Sequence, residues 1–380
     1  MTARIPLSVL DLSPIPSGGT AADGLRRTIS QARHVEELGY ARYWLAEHHL
    51  NPGVAGAAPH VLLSALAGAT SRIRLGTAAT ILGNSTPLRV VEELGLIASL
   101  HPERIELGIG RSGARPPGSG RAPDSGTAEA GGAEARGERE DRVVDGLVVP
   151  APRLSGLDRP RFAAQARLLG RAADAGDRFD QDVRDILALI DGAYAAPEGV
   201  PIHAVPAEGS GLEVWIHGSS AGPSARLAGE LGLPFGANYH VLPSFVLEAV
   251  AEYRRSFRPG RIPAPQVIVS ANVLVAPSRD EAEHLALGYG QWVHSIRAGQ
   301  GAIPYLAPQE ARDAPLDAGA QASVQDRLDT RFVGSPSHVA EQLRILQRAT
   351  GADELLLTTI AHDQDAQLRS FTLLAEEWSL

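Results

Sequence analysis

The chain has 380 residues, of which 44% are hydrophobic, and its formal net charge is -9. Because the balance is acidic and no basic cluster is interleaved with aromatic residues, we expect no nucleic-acid surface. The sequence contains no cysteine, which excludes disulfides, thiolate metal sites and cysteine nucleophiles. It also contains no lysine, which excludes Schiff-base chemistry and a phosphate-loop lysine. The N-terminus carries no long apolar run, so we predict a cytoplasmic protein without a signal peptide or membrane span.

Short apolar runs of strand type alternate along the chain with segments of helical periodicity, at intervals of about thirty residues. Thr20 marks the start of the first predicted helix, Pro59 lies at the start of the second, and Thr86 with Pro87 opens the third. This rhythm predicts parallel strands joined by right-handed helical crossovers. Eight such units predict an α/β fold, a (β/α)8 TIM barrel, in one domain spanning residues 1–380. The predicted strands are residues 5–10, 42–49, 73–81, 104–110, 213–216, 234–238, 265–275 and 354–359.

Two segments interrupt the rhythm, after the fourth and the seventh predicted strands. The first, residues 112–176, is rich in Gly, Pro and Ala and has little apolar periodicity before Val143, so we expect much of it to be mobile. The second, residues 297–331, precedes Gly334. Both follow strands on the face where barrels carry their active sites. The second segment is a candidate lid, and a tolerated surface insertion is the alternative for both.

The second predicted strand ends in Glu47, His48 and His49, which places a carboxylate and two imidazoles at the carboxyl end of a barrel strand. Imidazole is the side chain best suited to move protons near neutral pH. Adjacent strand residues point to opposite faces, so His48 and His49 do not easily share one ligand. A barrel-type metal hydrolase that combines this cluster with His217 and His240 is one alternative function.

Groups suited to binding an anion follow the fourth and fifth predicted strands. Arg111 comes directly after the fourth strand, and its guanidinium can grip a phosphate with two hydrogen bonds. Ser219 and Ser220 follow the fifth strand, just before a helix that starts near Pro223 and offers backbone N–H groups to an anion. Together these anion-binding groups predict a phosphorylated cofactor that lies across the barrel mouth. Residues 108–113 also match G-x-G-x-x-G, but no helix pattern follows, which disfavours a dinucleotide-binding fold.

Candidate substrate contacts come from two strand ends. Asn238 and His240 follow the sixth predicted strand and add a polar wall to the expected site. Glu47 is a further candidate, at the end of the second strand. For His240, a hydrogen-bonded structural histidine is the alternative.

Four motifs follow one another along the chain: YWLAEHH at residues 43–49, LGTAA at 75–79, RIELGIGR at 104–111 and HGSS at 217–220. Residues 10–15 read LDLSPI. Together the four motifs resemble the bacterial luciferase-like flavin-dependent monooxygenases, and the N-terminal residues are closest to one subgroup of that family. The resemblance covers nearly the whole chain except the two irregular segments.

The resemblance implies a barrel that binds FMN, used as reduced FMNH2 from a separate flavin reductase. It implies a reaction with O2 through a flavin C4a-hydroperoxide that oxygenates a small organic substrate. It also implies a homodimer, and secondary metabolism such as antibiotic biosynthesis is the expected setting. Related barrels use the deazaflavin F420, which is the alternative cofactor. By position, the resemblance assigns catalysis to His48. It assigns the contact with the isoalloxazine ring to Ala78 and Ala79, a segment that often contains a cis peptide bond in the family. The phosphate and ribityl contacts are assigned to Arg111, Gly218, Ser219 and Ser220.

Overall fold

The computed structural model describes residues 5–111, 140–153, 159–171 and 177–380. Its strands form one large parallel sheet and one separate hairpin. The strands are β1 (Leu7–Asp11), β2 (Arg42–Leu45), β3 (Arg74–Thr77), β4 (Thr80–Ile81), β5 (Ile105–Gly110), β6 (Arg142–Val144), β7 (Leu147–Val149), β8 (Glu213–Gly218), β9 (Phe235–Asn238), β10 (Val267–Val275), β11 (Phe332–Gly334) and β12 (Glu354–Thr358).

The large sheet closes on itself, which confirms the predicted TIM barrel. The strands pair in the order β1, β2, β3, β5, β8, β9, β10 and β12, and β12 pairs back to β1 through Leu7 opposite Leu355. Every one of these pairings is parallel, so all eight carboxyl ends open at the same end of the barrel. The prediction of a single strand over residues 73–81 is wrong, because the peptide between Ala78 and Ala79 is cis and separates β3 from β4.

Helices follow the barrel strands and cover their outer faces, where apolar side chains of strands and helices form the main core. Local signals set several helix starts: Thr20 forms a capping box with Asp23, and the side chain of Thr86 accepts from the amide of Arg89. The helices are α1 (Ala21–Glu37), α2 (Pro59–Ala69), α3 (Pro87–Leu100), α4 (Arg159–Leu168), α5 (Phe179–Ile190), α6 (Pro223–Glu230), α7 (Val246–Ser256), α8 (Arg279–Leu285), α9 (Tyr289–Arg297), α10 (Pro308–Asp313), α11 (Ala318–Asp329), α12 (Pro336–Thr350) and α13 (Gln364–Trp378). Among the described helices, none combines the length and apolar character that crossing a bilayer requires.

The lower layer of the barrel interior is a buried ionic network. Arg42 donates to Glu106 and, at 3.0 Å, to Glu354, while Arg74 lies 2.8 Å from Glu106 and 2.6 Å from Glu213. Burial raises the pKa of Glu106 to about 7, against the lowering effect of the two arginines. Three carboxyl groups thus face two guanidinium groups at the closed end of the barrel.

A layer of aromatic and aliphatic side chains separates this network from the open end. Trp44 and Trp215 meet edge-on with their ring centroids 5.2 Å apart, and Leu10, Ile268 and Leu356 pack beside them. The indole N–H of Trp44 donates to Glu106 at 2.6 Å, which ties this layer to the ionic network below. Leu10, Ile268 and Leu356 of this layer line the space at the carboxyl ends of the strands, and the two indoles pack against them.

Both predicted insertions occupy the connections after the fourth and seventh barrel strands. Between β5 and β8, the described residues form the hairpin of β6 and β7 and the helices α4 and α5. Much of the predicted mobile segment, residues 112–139, 154–158 and 172–176, lies outside the described residues. Between β10 and β12, the candidate lid of residues 297–331 contains α10 and α11, and α11 packs on α9. Part of this connection faces the barrel mouth.

Candidate active site

A cavity of about 330 Å³ lies at the carboxyl ends of the barrel strands, above the two indoles. Most of its wall is apolar and comes from the strands and from the connection between β10 and β12. The loops after β2, β3, β5, β8 and β9 all reach it, so the structure brings together residues that are far apart in the sequence. All of the predicted site residues line this cavity: Glu47, His48, Ala78, Ala79, Arg111, Gly218, Ser219, Ser220, Asn238 and His240.

Glu47, His48 and His49, which follow β2, make different contacts. His48 lines the cavity, whereas the Nε2 of His49 lies 2.7 Å from the Glu47 carboxylate. Glu47 also accepts from the amide of Ile81 at 2.8 Å and from Asn84 at 2.5 Å. Burial raises the pKa of Glu47, but these hydrogen bonds outweigh it and hold the pKa below its usual range. Glu47 is therefore an ionised anchor that joins two cavity loops.

Three imidazoles at the cavity are neutral near pH 7. Burial lowers the pKa of His48 to about 4, partly opposed by the nearby charge of Glu47. Burial alone lowers the pKa of His217 to about 4. Burial and, to a smaller extent, Arg327 and His48 lower the pKa of His240 to about 3. Each ring can therefore donate or accept a hydrogen bond at neutral pH without carrying charge.

Two glycines make room for His217 in the barrel wall. A Cβ on Gly108 would lie 2.6 Å from the Nε2 of His217, and a Cβ on Gly236 would contact the opposite edge of the ring. The ring of His217 also meets Trp44 edge-on at 5.3 Å. Its Nε2 is buried without a hydrogen-bond partner among the described residues.

The groups predicted to bind an anion, Arg111 and the loop with Ser219 and Ser220, lie next to each other in the structure. Strands β5 and β8 pair directly, with Gly110 opposite His217, so Arg111 emerges next to the loop that carries Ser219 and Ser220. The N-cap residue of α6, Gly222, makes no side-chain capping hydrogen bond. Pro223 has no N–H, so the first N–H group of α6 belongs to Ser224, which lines the cavity, and no side chain of the N-cap residue competes for it.

The guanidinium of Arg111 already has negative neighbours at the start of α5. It donates to Asp177 and, at 3.2 Å, to Asp180, and it lies 4.7 Å from the centre of the Phe179 ring. An anion that binds Arg111 must share it with these carboxylates or displace them. This arrangement holds the side chain at the cavity edge in a charge-balanced state.

Several cavity residues were missed by the sequence analysis. Some are inward-facing polar residues of the strands: Ser270 and Asn272 on β10, and Thr358 on β12. A polar residue at every second position of an otherwise apolar strand could have indicated the first two. Others come from the connection between β10 and β12, and no local signal marks them: Tyr289, Trp292, Ile296, Ala302 and Arg327.

The alternative function, a metal hydrolase, can be tested against the positions of the side chains that would bind the metal ion. Glu47 is engaged by His49, His49 is absent from the cavity wall, and His240 lies 2.6 Å from Ser270 through its Nδ1. Within the described ranges, no group of three or more His, Asp or Glu side chains is arranged to hold a metal ion. The geometry of these residues therefore gives the hydrolase alternative no support.

Comparison with known proteins agrees with the fold and the motifs. The model of the luciferase-like monooxygenase family matches residues 5–129 and 176–354. A luciferase-like monooxygenase of Escherichia coli K12 is 33% identical over 371 residues, which cover 97% of this chain and 96% of that protein. The solved structure of apo-MsnO8 is 30% identical, has a TM-score of 0.77 and covers 99% of each chain.

More distant solved structures share the fold and carry different flavins. The oxygenating constituent of 3,6-diketocamphane monooxygenase from Pseudomonas putida, in complex with FMN, has a TM-score of 0.65 at 20% identity and covers 98% of this chain and 97% of its own. An F420-dependent secondary alcohol dehydrogenase has a TM-score of 0.57 at 14% identity and covers 99% of each chain. The match of the family model over most of the chain and the full-length relatives decide the assignment. The chain belongs to the luciferase-like monooxygenase family of oxidoreductases.

Proposed function

We propose that this chain is a monooxygenase that uses reduced FMN and inserts one oxygen atom of O2 into a small organic substrate. The observation that carries the proposal is that one cavity joins an anion-binding corner to a buried, neutral imidazole. The corner is formed by Arg111, Ser219 and Ser220, and the imidazole is that of His48. When bound, reduced FMN supplies the electrons that activate O2.

The cavity residues fit the parts of FMN. Arg111, the serines after β8 and the uncapped start of α6 would hold the phosphate, because these are cationic or N–H donors on neighbouring strand ends. Ala78 and Ala79 present small side chains and Gly218 presents none, which leaves room for a flat ring system beside the backbone. Asn238 and His240 would contact the substrate or the ring edge.

His48 is the residue to which we assign catalysis. Its neutral ring can donate a hydrogen bond to a reacting group or accept one from it at neutral pH. The Glu47–His49 pair fixes the backbone on both sides of His48, and the Glu47 bonds to Ile81 and Asn84 hold that loop against β4. Glu47 thus acts as a positioning residue in this proposal.

The connection between β10 and β12 would keep water from the site. Of residues 297–331, Ala302 and Arg327 line the cavity, and α11 packs on α9, whose Trp292 and Ile296 cover the cavity with apolar surface. Reactive oxygen chemistry in such a site depends on excluding water, which otherwise diverts the reaction to peroxide. We therefore retain the proposal that residues 297–331 act as a lid.

Anaerobic titration with reduced FMN, reduced riboflavin and reduced F420 tests the cofactor. Wild type should bind FMN more tightly than riboflavin, and Arg111→Met should remove about 10- to 100-fold of that preference, since a charged hydrogen bond contributes about 1.5–3 kcal/mol. Arg279→Met is a matched control, because Arg279 lies exposed on α8 and pairs with Glu283 away from the cavity. Tighter binding of F420 than of FMN, or an unchanged FMN preference in Arg111→Met, would overturn the assignment.

The partners and setting of the enzyme remain predictions. We propose a separate flavin reductase as the source of reduced FMN, a homodimer in solution, a cytoplasmic location and a role in secondary metabolism such as antibiotic biosynthesis. Light scattering that gives a single 40.0 kDa species would contradict the homodimer. Activity that persists with photoreduced FMN in place of a reductase would show that the reductase only delivers the cofactor.

A further inference from the structure

Arg327 is a buried cation at the edge of the cavity. It lies on α11, its residue surface is 8% exposed, and it lines the cavity together with Tyr289 and Trp292 of α9. The cavity wall as a whole is largely apolar and includes Ile268, Leu356 and Ile360. Arg327 therefore adds a guanidinium to a largely apolar cavity.

The residues around Arg327 do not neutralise it. The neighbouring carboxylate of Asp326 binds Arg297 at 2.8 Å, and Asp329 accepts from Gln325 at 2.6 Å. The hydrogen bond made by the Arg327 guanidinium within the described residues goes from Nη2 to the Tyr289 hydroxyl at 3.0 Å. Its Nε is buried without a hydrogen-bond partner among those residues.

A buried charge without a counter-ion is unfavourable, so such a group is normally paired or stands ready to bind an ion of opposite sign. Of the other titratable side chains that line the cavity, Glu47 is held by His49, the Ile81 amide and Asn84, while His48, His217 and His240 are neutral imidazoles. They can donate hydrogen bonds to an anion but cannot supply negative charge. A ligand is therefore the partner that can balance Arg327.

We propose that Arg327 binds a carboxylate of the substrate, so that the substrate class is a small organic acid with an apolar body. This inference rests on the proposed monooxygenase function and adds the chemistry of the acceptor molecule. A guanidinium has a planar array of N–H donors that matches a carboxylate, and its single charge is balanced by a single carboxylate. The apolar cavity wall fits the rest of such a molecule.

The flavin phosphate is the other anion that could reach the cavity. It has its own donors after β5 and β8, where Arg111 lies beside Ser219, Ser220 and the start of α6. Arg327 comes instead from the connection between β10 and β12, on the side that carries Trp292 and Ile296. The two cations thus serve two different anions in this account.

Calorimetric titration with hexanoate and with hexanamide tests the inference, because the two probes differ mainly in charge. Wild type should bind hexanoate about 10- to 100-fold more tightly than hexanamide, and Arg327→Met should lose this difference while Arg327→Lys keeps part of it. Arg331→Met is the matched control: Arg331 lies 5.7 Å from the same Tyr289 ring and donates to Ala286 O, but it does not line the cavity.

Three results would overturn the inference. The first is the absence of hexanoate binding, or equal binding of both probes, by wild type. The second is an equal loss of the preference in Arg331→Met. The third is a loss of FMN binding in Arg327→Met, which would assign Arg327 to the cofactor. A wild type that prefers hexanoate but binds no FMN would instead refute the proposed function and leave the carboxylate site standing.

Discussion

Replacing His48 by Gln removes a buried titratable ring and is expected to make the protein less sensitive to acid. Burial lowers the pKa of His48 from 6.5 to about 4 in the folded protein. The unfolded chain therefore takes up a proton at a higher pH than the folded chain does. The wild type keeps the full contribution of a neutral His48 above pH 6.5 and loses it as the pH falls toward 4.

The magnitude follows from the difference between the two pKa values. Between 6.5 and about 4, at ~1.4 kcal/mol for each pH unit, the loss is ~3 kcal/mol for this one residue. The ring borders a cavity that water can enter, which reduces the penalty, so we expect ~1–3 kcal/mol. His217 and His240 act in the same direction and are present in both proteins, so their contributions cancel in the comparison except for the small effect of His48 on the pKa of His240.

Urea unfolding at pH 7.5, 6.0, 5.0 and 4.5, followed by far-UV circular dichroism, measures this effect for wild type and His48→Gln. The free energy of unfolding should fall more steeply with acid in wild type, so that the two curves converge or cross near pH 4.5. His101→Gln, outside the cavity, controls for the loss of any histidine. Parallel curves from pH 7.5 to 4.5 would show that His48 is not a buried neutral group, and the assignment of its catalytic state would fail with it.

Two further predictions concern the barrel around the cavity. Arg42→Met leaves the carboxylates of Glu106 and Glu354 without the guanidinium that they share. It should lower the free energy of unfolding, measured in urea, by ~3–5 kcal/mol. Glu106→Gln should lower it less, because the network has one more carboxylate than guanidinium groups. Gly236→Ala brings a Cβ against the ring of His217 and should lower the free energy of unfolding by ~1–3 kcal/mol. Gly68→Ala on α2, where the added Cβ meets open space, should leave the free energy of unfolding unchanged or raise it. An Arg42→Met protein as stable as wild type, or equal costs for the two alanines, would contradict these accounts.

The carboxyl ends of the barrel strands could be predicted, because the sequence pattern marks where each strand ends and the fold places these ends together. A run of apolar residues followed by polar ones marks where a strand leaves the barrel, and parallel strands all leave at the same end. For this reason Glu47, Arg111 and Asn238 could be placed at one site before their contacts were known. The chemistry of Glu47 was harder to predict, because its bonds to Ile81 and Asn84 come from a loop whose path depends on the break between β3 and β4.

The contribution of the connection between β10 and β12 could not be predicted from local pattern. Trp292 and Arg327 lie on different helices, and each reaches the cavity because α9 and α11 pack together over the barrel mouth. The sequence of α11 mixes small or apolar residues with charged and amide side chains and does not mark Arg327 as buried. Its burial follows from tertiary packing, which periodicity within one helix does not encode.

The charged groups along the barrel axis give the two cavity arginines, Arg111 and Arg327, different surroundings. At the closed end, guanidinium and carboxylate groups are paired with one another, and two indoles isolate them from the cavity. At the open end, Arg111 is balanced by Asp177 and Asp180, so a phosphate must compete for it. Competition of this kind favours reversible binding, which the proposed delivery of reduced FMN by a separate reductase would require. Arg327 has no carboxylate partner of this kind within the described residues, so the proposed substrate carboxylate would not have to displace one there.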